Sequence, residues 1–305
     1  SGGNYNVVVG DEAGTALTTG DGNVAIGFEA LKTEDANGES TAVGYRALKT
    51  QNAGAAAHNT AIGYDAGVNV TTGIENVIFG SRAGDALTVG GNNVAVGNQS
   101  LSADTAGNHS VAVGHGALFT QNFSTATNSN NTAVGYVAGL SVTTGIDNVL
   151  IGAKAGDALT DADYNVAIGT DALHSDTLGS RSLAIGRRAL YTQNFTTATD
   201  SYNIGIGFGA GFAVTTGVEN TLIGGLAGDA ITTGYYNTAL GKDALSTNTL
   251  SSLNVAIGHS ALKTLSAGGS ETYNVAVGAN AGLSVTTGVE NTLIGSLAGD
   301  ALTDA

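Results

Sequence analysis

The chain has 305 residues, 47 of them Gly, and contains no Pro, Cys, Met or Trp. Its 25 acidic and 10 basic residues give a net charge of −15, which excludes a nucleic-acid or anionic-membrane surface, since either partner needs a basic face. With 11% charged and 42% hydrophobic residues it is no disordered polyelectrolyte, and no apolar run is long enough to cross a bilayer as a helix.

Ordinary usage of about 5% Pro makes its absence informative. Pro removes a donor from a β-ladder, so a chain without it can pair along most of its length. Collagen is excluded, because it needs Pro and Gly at every third residue. No Cys means no disulfide framework and no thiolate chemistry. The chain starts at Ser1 without a signal peptide, as expected of a processed product or an excerpt of a longer chain.

The first predicted strand is Asn6-Val-Val-Val-Gly10, and its pattern N-[V/T]-[A/L]-[V/I]-G-x-x-A-[L/G] returns to the end of the chain. The motif glycines are Gly10, Gly27, Gly44, Gly63, Gly80, Gly97, Gly114, Gly135, Gly152, Gly169, Gly186, Gly207, Gly224, Gly241, Gly258, Gly278 and Gly295. Twelve of the sixteen steps are 17 residues long, and the others are 19 to 21. Three residues after each glycine stands Ala, except at Ser100; four before stands Asn, except at Ser40, Ser110 and Ser182.

Gly63, Gly135, Gly207 and Gly278 close the long steps and lie 72, 72 and 71 residues apart, so four coils make a super-repeat. Within it the residue after the motif Ala is Gly in two coils (Gly67, Gly84) and Leu in the next two (Leu101, Leu118). Gly coils recover a hydrophobe three residues later, as at Val70 and Leu87, where Leu coils carry Glu34, Asp104, Asp176 or Asn248. Bulk is kept but displaced, as a void-free stacked core demands.

Seventeen residues are too few for a helix pair but suit one turn of a β-solenoid. In Asn93-Val-Ala-Val-Gly97 alternation puts Ala95 on one face and Val94 and Val96 on the other. Asn stacked about 4.8 Å apart can form a hydrogen-bonded ladder. The expected fold is therefore all-β: one parallel β-solenoid over residues 1–305, of about seventeen coils of 17–21 residues.

Asn108-His-Ser-Val-Ala-Val-Gly114-His-Gly-Ala117 and Asn131-Thr-Ala-Val-Gly135-Tyr-Val-Ala138 resemble the head repeats of YadA-like trimeric autotransporter adhesins, whose hallmark is N-S-V-A-I-G-x-x-[S/A]-x-A. The array is also similar to repeat regions of phage tail fibres. The resemblance implies a left-handed β-roll and a homotrimer around a fibre axis. It also implies an extracellular place on a cell surface or virion tail, as a rigid spacer with host attachment.

An active site occurs once whereas a scaffold recurs, so any site should appear as a departure from the repeat. No catalytic, cofactor-binding or metal-ligating residue is assigned. The five His residues (His58, His109, His115, His174, His259) lack metal-ligand spacing. Asp85, Asp157, Asp229 and Asp300 recur in G-D-A-[L/I]-T and read as turn residues; Asp157, Asp161 and Asp163 match no calcium loop. Two past the motif glycine, Glu29, Arg46, Asp65 and Arg82, then Lys154, Asp171 and Arg188, predict alternating-sign ladders that fix register. Arg181, Arg187 and Arg188 form the one basic cluster, read as a solvated face.

The insertions at 51–58, 119–130, 191–202 and 265–273 are the best place for recognition, since loops on rigid scaffolds carry function. Asn122, Phe123, Asn194, Phe195 and Tyr202 are the candidate receptor contacts, with the two Phe expected to project and meet a host-surface glycan or protein. The competing expectation is that these rings fold back over the roll. The expected partners are further copies of the chain and that host surface, without nucleic acid or direct membrane insertion. A purely structural extracellular filament is the first alternative, and a glycan-degrading tailspike, marked by a singular carboxylate cluster, the second.

Overall fold

The structure, a computed structural model, describes residues 3–36, 38–269 and 271–304. It divides into two compact units, Ser1–Asn148 and Val149–Ala305. Both are all-β parallel solenoids, about seventeen turns in total, with no helix among the described residues. Each motif supplies one three-residue strand, running from Val7–Val9 to Thr132–Val134 in the first unit and from Val149–Ile151 to Thr292–Ile294 in the second.

Successive strands pair in register, so the repeat position is also the spatial position. Val77, Ile78 and Phe79 oppose Val94, Ala95 and Val96 in the first unit; Val149, Leu150 and Ile151 oppose Val166, Ala167 and Ile168 in the second. The middle residue points inward and is buried at Ala95, Ala112, Ala167 and Ala184, while its neighbours face outward and stay partly exposed.

Each coil turns its corners on left-handed residues, although most carry side chains. In the coil of Gly97 these are Asn92, Gln99 and Leu101, at φ 60°, 56° and 52°. Such a conformation costs about 1–2 kcal/mol for a residue with a Cβ. It persists because each N–H finds a carbonyl in an adjacent coil: Asn92 on Ile74 at 2.9 Å, Gln99 on Ser81 at 3.0 Å, Leu101 on Ala117 at 3.0 Å. Gly97 itself sits at φ 137°, and a methyl there would fall 2.4 Å from the Gly114 carbonyl oxygen. Backbone approach, not just flexibility, imposes glycine at that step.

The Asn ladder forms inside this frame. Asn59 Oδ1 accepts from Asn76 N at 2.8 Å, Asn76 Oδ1 accepts from Asn93 N at 3.0 Å, and Asn76 Nδ2 donates to the Gly90 carbonyl at 3.0 Å. These side chains are buried and fully engaged, as a buried amide must be.

The core shows where the displaced bulk goes. A methyl at Gly67 would meet Ile78 at 2.8 Å, Leu48 at 3.1 Å and Val70 at 3.3 Å. The Gly coils thus make room both for the hydrophobe three residues on and for a large inward strand residue.

Candidate functional site

Three of the four insertions follow a coil in which Ser replaces the ladder Asn, at Ser40, Ser110 and Ser182; the last follows Asn254, whose Oδ1 still accepts from Asn274 N at 3.2 Å. Ser110 is too short to reach the following coil as Asn does, and the insertion supplies what is missing. Gln121 Nε2 donates to Ser110 Oγ at 2.8 Å, its Oε1 accepts from Asn131 Nδ2 at 2.9 Å, and Ser129 Oγ lies 2.5 Å from Ser110 Oγ. Buried Asp104 completes the group: its Oδ2 accepts from Gln121 Nε2 at 2.6 Å, and its Oδ1 from Gly107 N and Phe123 N at 3.0 and 3.2 Å.

The second unit repeats the arrangement. Asp176 accepts from Gln193 Nε2 at 2.6 Å, Gly179 N at 3.0 Å and Phe195 N at 3.1 Å, while Gln193 donates to Ser182 Oγ at 2.7 Å. Burial pushes the Asp176 carboxyl above its ordinary range, opposed by the Gln193, Phe195 and Gly179 hydrogen bonds. These two insertions each also form a short strand: Thr127–Asn128 pairs with Gly107–Asn108, and Thr199–Asp200 with Gly179–Ser180.

This geometry corrects one expectation. Phe123 and Phe195 do not project; they are 6% and 4% exposed, tethered through their own N–H groups to Asp104 and Asp176. The rings fold back over the roll because an exposed Phe among amides loses the apolar contact that burial supplies. Asn122 and Asn194 remain exposed beside them, and Tyr202 is 52% exposed. Tyr202 lies in an aromatic–cation stack, with the Arg181 guanidinium 5.9 Å from its ring and 4.8 Å from that of Tyr164. Asp200, 3.1 Å from Arg181, holds the guanidinium proton more firmly.

In the insertion 265–273, residue 270 lies outside the described residues. Glu271 there accepts from Tyr273 at 2.6 Å and Tyr235 at 2.9 Å, which lowers its pKa.

The charge ladders form in part. Arg46 grips Asp65 with two hydrogen bonds of 2.8 and 2.7 Å, and Arg188 lies 3.5 Å from Asp171. Lys32, placed between Glu12 and Glu29, and then Lys49 hold Glu29 down to about 2.

Sequence reasoning missed a second kind of column. Five past the motif glycine, Asp157 meets His174 at 2.6 Å, and the His174, Tyr191 and Phe212 rings stack at 4.9 and 5.2 Å. One past it, exposed Phe28, Tyr45 and Tyr64 stack at 5.2 Å each. The signal was present: aligning the coils by their motif glycine puts these residues in register. Among the described residues there is no pocket and no group of three or more His, Cys, Asp or Glu that could hold a metal; Asp157, Asp161 and Asp163 form none.

Comparison with family models, with curated proteins and with solved structures finds no match to the chain.

Proposed function

We propose that the chain is the shaft or head of a homotrimeric adhesive fibre, a left-handed roll on a cell surface or phage tail, acting as spacer and host contact rather than enzyme. The observation that carries this reading is the outer face of the strands. Every coil presents two outward residues there, nearly all apolar or β-branched, and many stay open: Val77 at 44% and Phe79 at 52% in the first unit, Ile151 at 37% and Leu240 at 43% in the second. Such a row of apolar side chains, renewed about every 4.8 Å along each unit, is the kind of surface that marks a meeting face between chains.

Copies of the same chain are the fitting cover, because their stripes have the same axial period. A heterologous contact that closes on itself makes a ring. The resemblance to trimeric adhesin heads supplies the number three and the hand. Host contact then belongs to the exposed flanks of the insertions, Asn122, Asn194 and Tyr202, with Phe123 and Phe195 as internal anchors.

The test is to place Glu at Ile168 and Ile185, two stacked outward residues. The Ile168→Glu, Ile185→Glu chain should keep a β-type circular dichroism spectrum and sediment as a single chain. Association as strong as that of the parent would reject this face as the meeting surface.

A further inference from the structure

Six Asn residues stand in the acceptor pattern N-x-[S/T] for N-linked sugar: Asn69, Asn98, Asn108, Asn122, Asn130 and Asn194. The pattern alone discriminates poorly, but the fold separates the six. An acceptor must offer a free amide nitrogen, and the transferase must reach the hydroxyl two residues on.

Four of them fail. Asn69 Nδ2 donates to the Asp85 carbonyl at 2.8 Å, and Asn98 Nδ2 to the Ser81 carbonyl at 3.1 Å, with Ser100 buried. Asn108 Nδ2 reaches Asn128 Oδ1 at 3.4 Å, and its Ser110 is locked in the buried serine–glutamine group. Asn130 Nδ2 donates to Asp147 Oδ1 at 3.0 Å, and its Thr132 belongs to a strand of the roll.

Asn122 and Asn194 differ on every count. Their Oδ1 atoms are only secondary acceptors of the Thr105 and Thr177 hydroxyls, at 3.1 and 3.0 Å, since the single proton of each goes first to the Phe123 or Phe195 carbonyl at 2.7 or 2.8 Å; no contact among the described residues engages Nδ2 as a donor. The hydroxyl residues Ser124 and Thr196 are exposed. The residue between is the buried Phe of the insertion, so inward anchoring of Phe123 or Phe195 leaves the Asn and the hydroxyl residue on either side of it open to solvent. The same device occurs once in each unit, on loops whose exposed residues carry no charge from Asn122 to Asn128 in the first and from Asn194 to Ala198 in the second.

We propose that Asn122 and Asn194 are N-glycosylation acceptors. In the reaction Nδ2 bonds to the anomeric carbon of a phosphate-activated sugar. The bond from that carbon to the phosphate oxygen breaks, the phosphate departs with its electron pair, and a base on the transferase takes the amide proton. This inference stands apart from the homotrimer and from the identity of any receptor.

Peptide mass spectrometry of the chain purified from its natural source tests it. Peptides holding Asn122 and Asn194 should carry hexose-type mass increments, with the other four acceptor patterns bare; bare peptides at both positions would overturn the proposal. In a second arm the folded chain meets a purified sequon-specific N-glycosyltransferase and a nucleotide-activated hexose. Two increments are expected, one lost in N122Q and the other in N194Q, while the denatured chain accepts more. Equal labelling of Asn69, Asn98, Asn108 or Asn130 in the folded chain would contradict the structural selection.

Discussion

Leu222 lies against the bare Cα of Gly228, so close that a methyl at Gly228 would sit 2.7 Å from Leu222 Cδ2. A methyl at Gly211, one coil earlier, would meet the same side chain, 2.8 Å from Cδ1. The inward strand residue is large where two Gly coils adjoin, at Ile78, Leu222 and Leu293, and is Ala in Leu coils such as those of Ala95 and Ala167. The paired alternation of Gly and Leu along the sequence is therefore one packing rule seen from two positions.

Gly228→Ala should destabilise the chain by about 1–3 kcal/mol through overpacking, with further strain from its left-handed φ of 56°. Leu222→Ala should cost about 2–5 kcal/mol by opening a cavity. The double variant should cost less than the sum, because the new methyl enters the space that Leu222 vacates. Urea midpoints of the three variants check this, and strict additivity would show that the contact carries no energy.

Ala167→Leu tests the rule from the other side. Its coil already holds Leu173 in the core, both residues are fully buried, and no glycine follows the motif Ala to make room. A loss of about 1–3 kcal/mol is expected. An unchanged melting temperature would mean that the inward and outward faces are assigned the wrong way round.

The buried carboxyl groups set a pH dependence. Asp176 has its pKa raised by burial, as do half-buried Asp85, Asp157 and Asp229. A carboxyl raised in the folded state favours folding when protonated. Its contribution is full below the ordinary Asp value of about 3.9 and is lost as pH rises through the folded value. Glu29, Asp243 and Glu271 are lowered and work the opposite way, but their contribution is lost only once pH falls below the ordinary carboxylate range. The melting temperature should therefore rise on mild acidification from neutral pH, and a flat or falling profile would contradict the burial of these groups. Asp176→Asn should weaken the rise yet place an amide against Gln193 Nε2. Adding Gln193→Leu should lower stability further, because Gln193 also holds Ser182 and Asn203, whereas the later coil with Asn248 and Leu265 keeps Asn254 in the ladder.

Phe195→Ser should act on the fold. Loss of a buried Phe costs about 3–5 kcal/mol, felt here by the insertion it anchors. Faster amide hydrogen exchange at Thr199–Asp200, which pairs with Gly179–Ser180, is the expected sign. Protection equal to that of the parent would show that the ring is not what holds the loop.

Much of the roll was legible because one residue type answers one backbone demand. Gly97 and its equivalents mark the close approach of neighbouring backbones, Asn76 and its equivalents the ladder, and the missing Pro the unbroken pairing. The direction of Phe123 and Phe195 was not legible, because it depends on Asp104 and Asp176, nineteen residues earlier and one coil away, taking their N–H groups. The Asp157–His174 contact was hidden for a similar reason: it is a relation between coils at a position that varies in type.

The apolar outer stripe is the feature on which the proposed homotrimeric fibre rests, and the native mass of the chain at micromolar concentration tests that proposal most directly. Sedimentation equilibrium should give three times the 30.0 kDa of one chain, without dissociation on dilution through that range. A stable species of 30.0 kDa would contradict it, and would make the chain a solenoid that tolerates its own exposed apolar face.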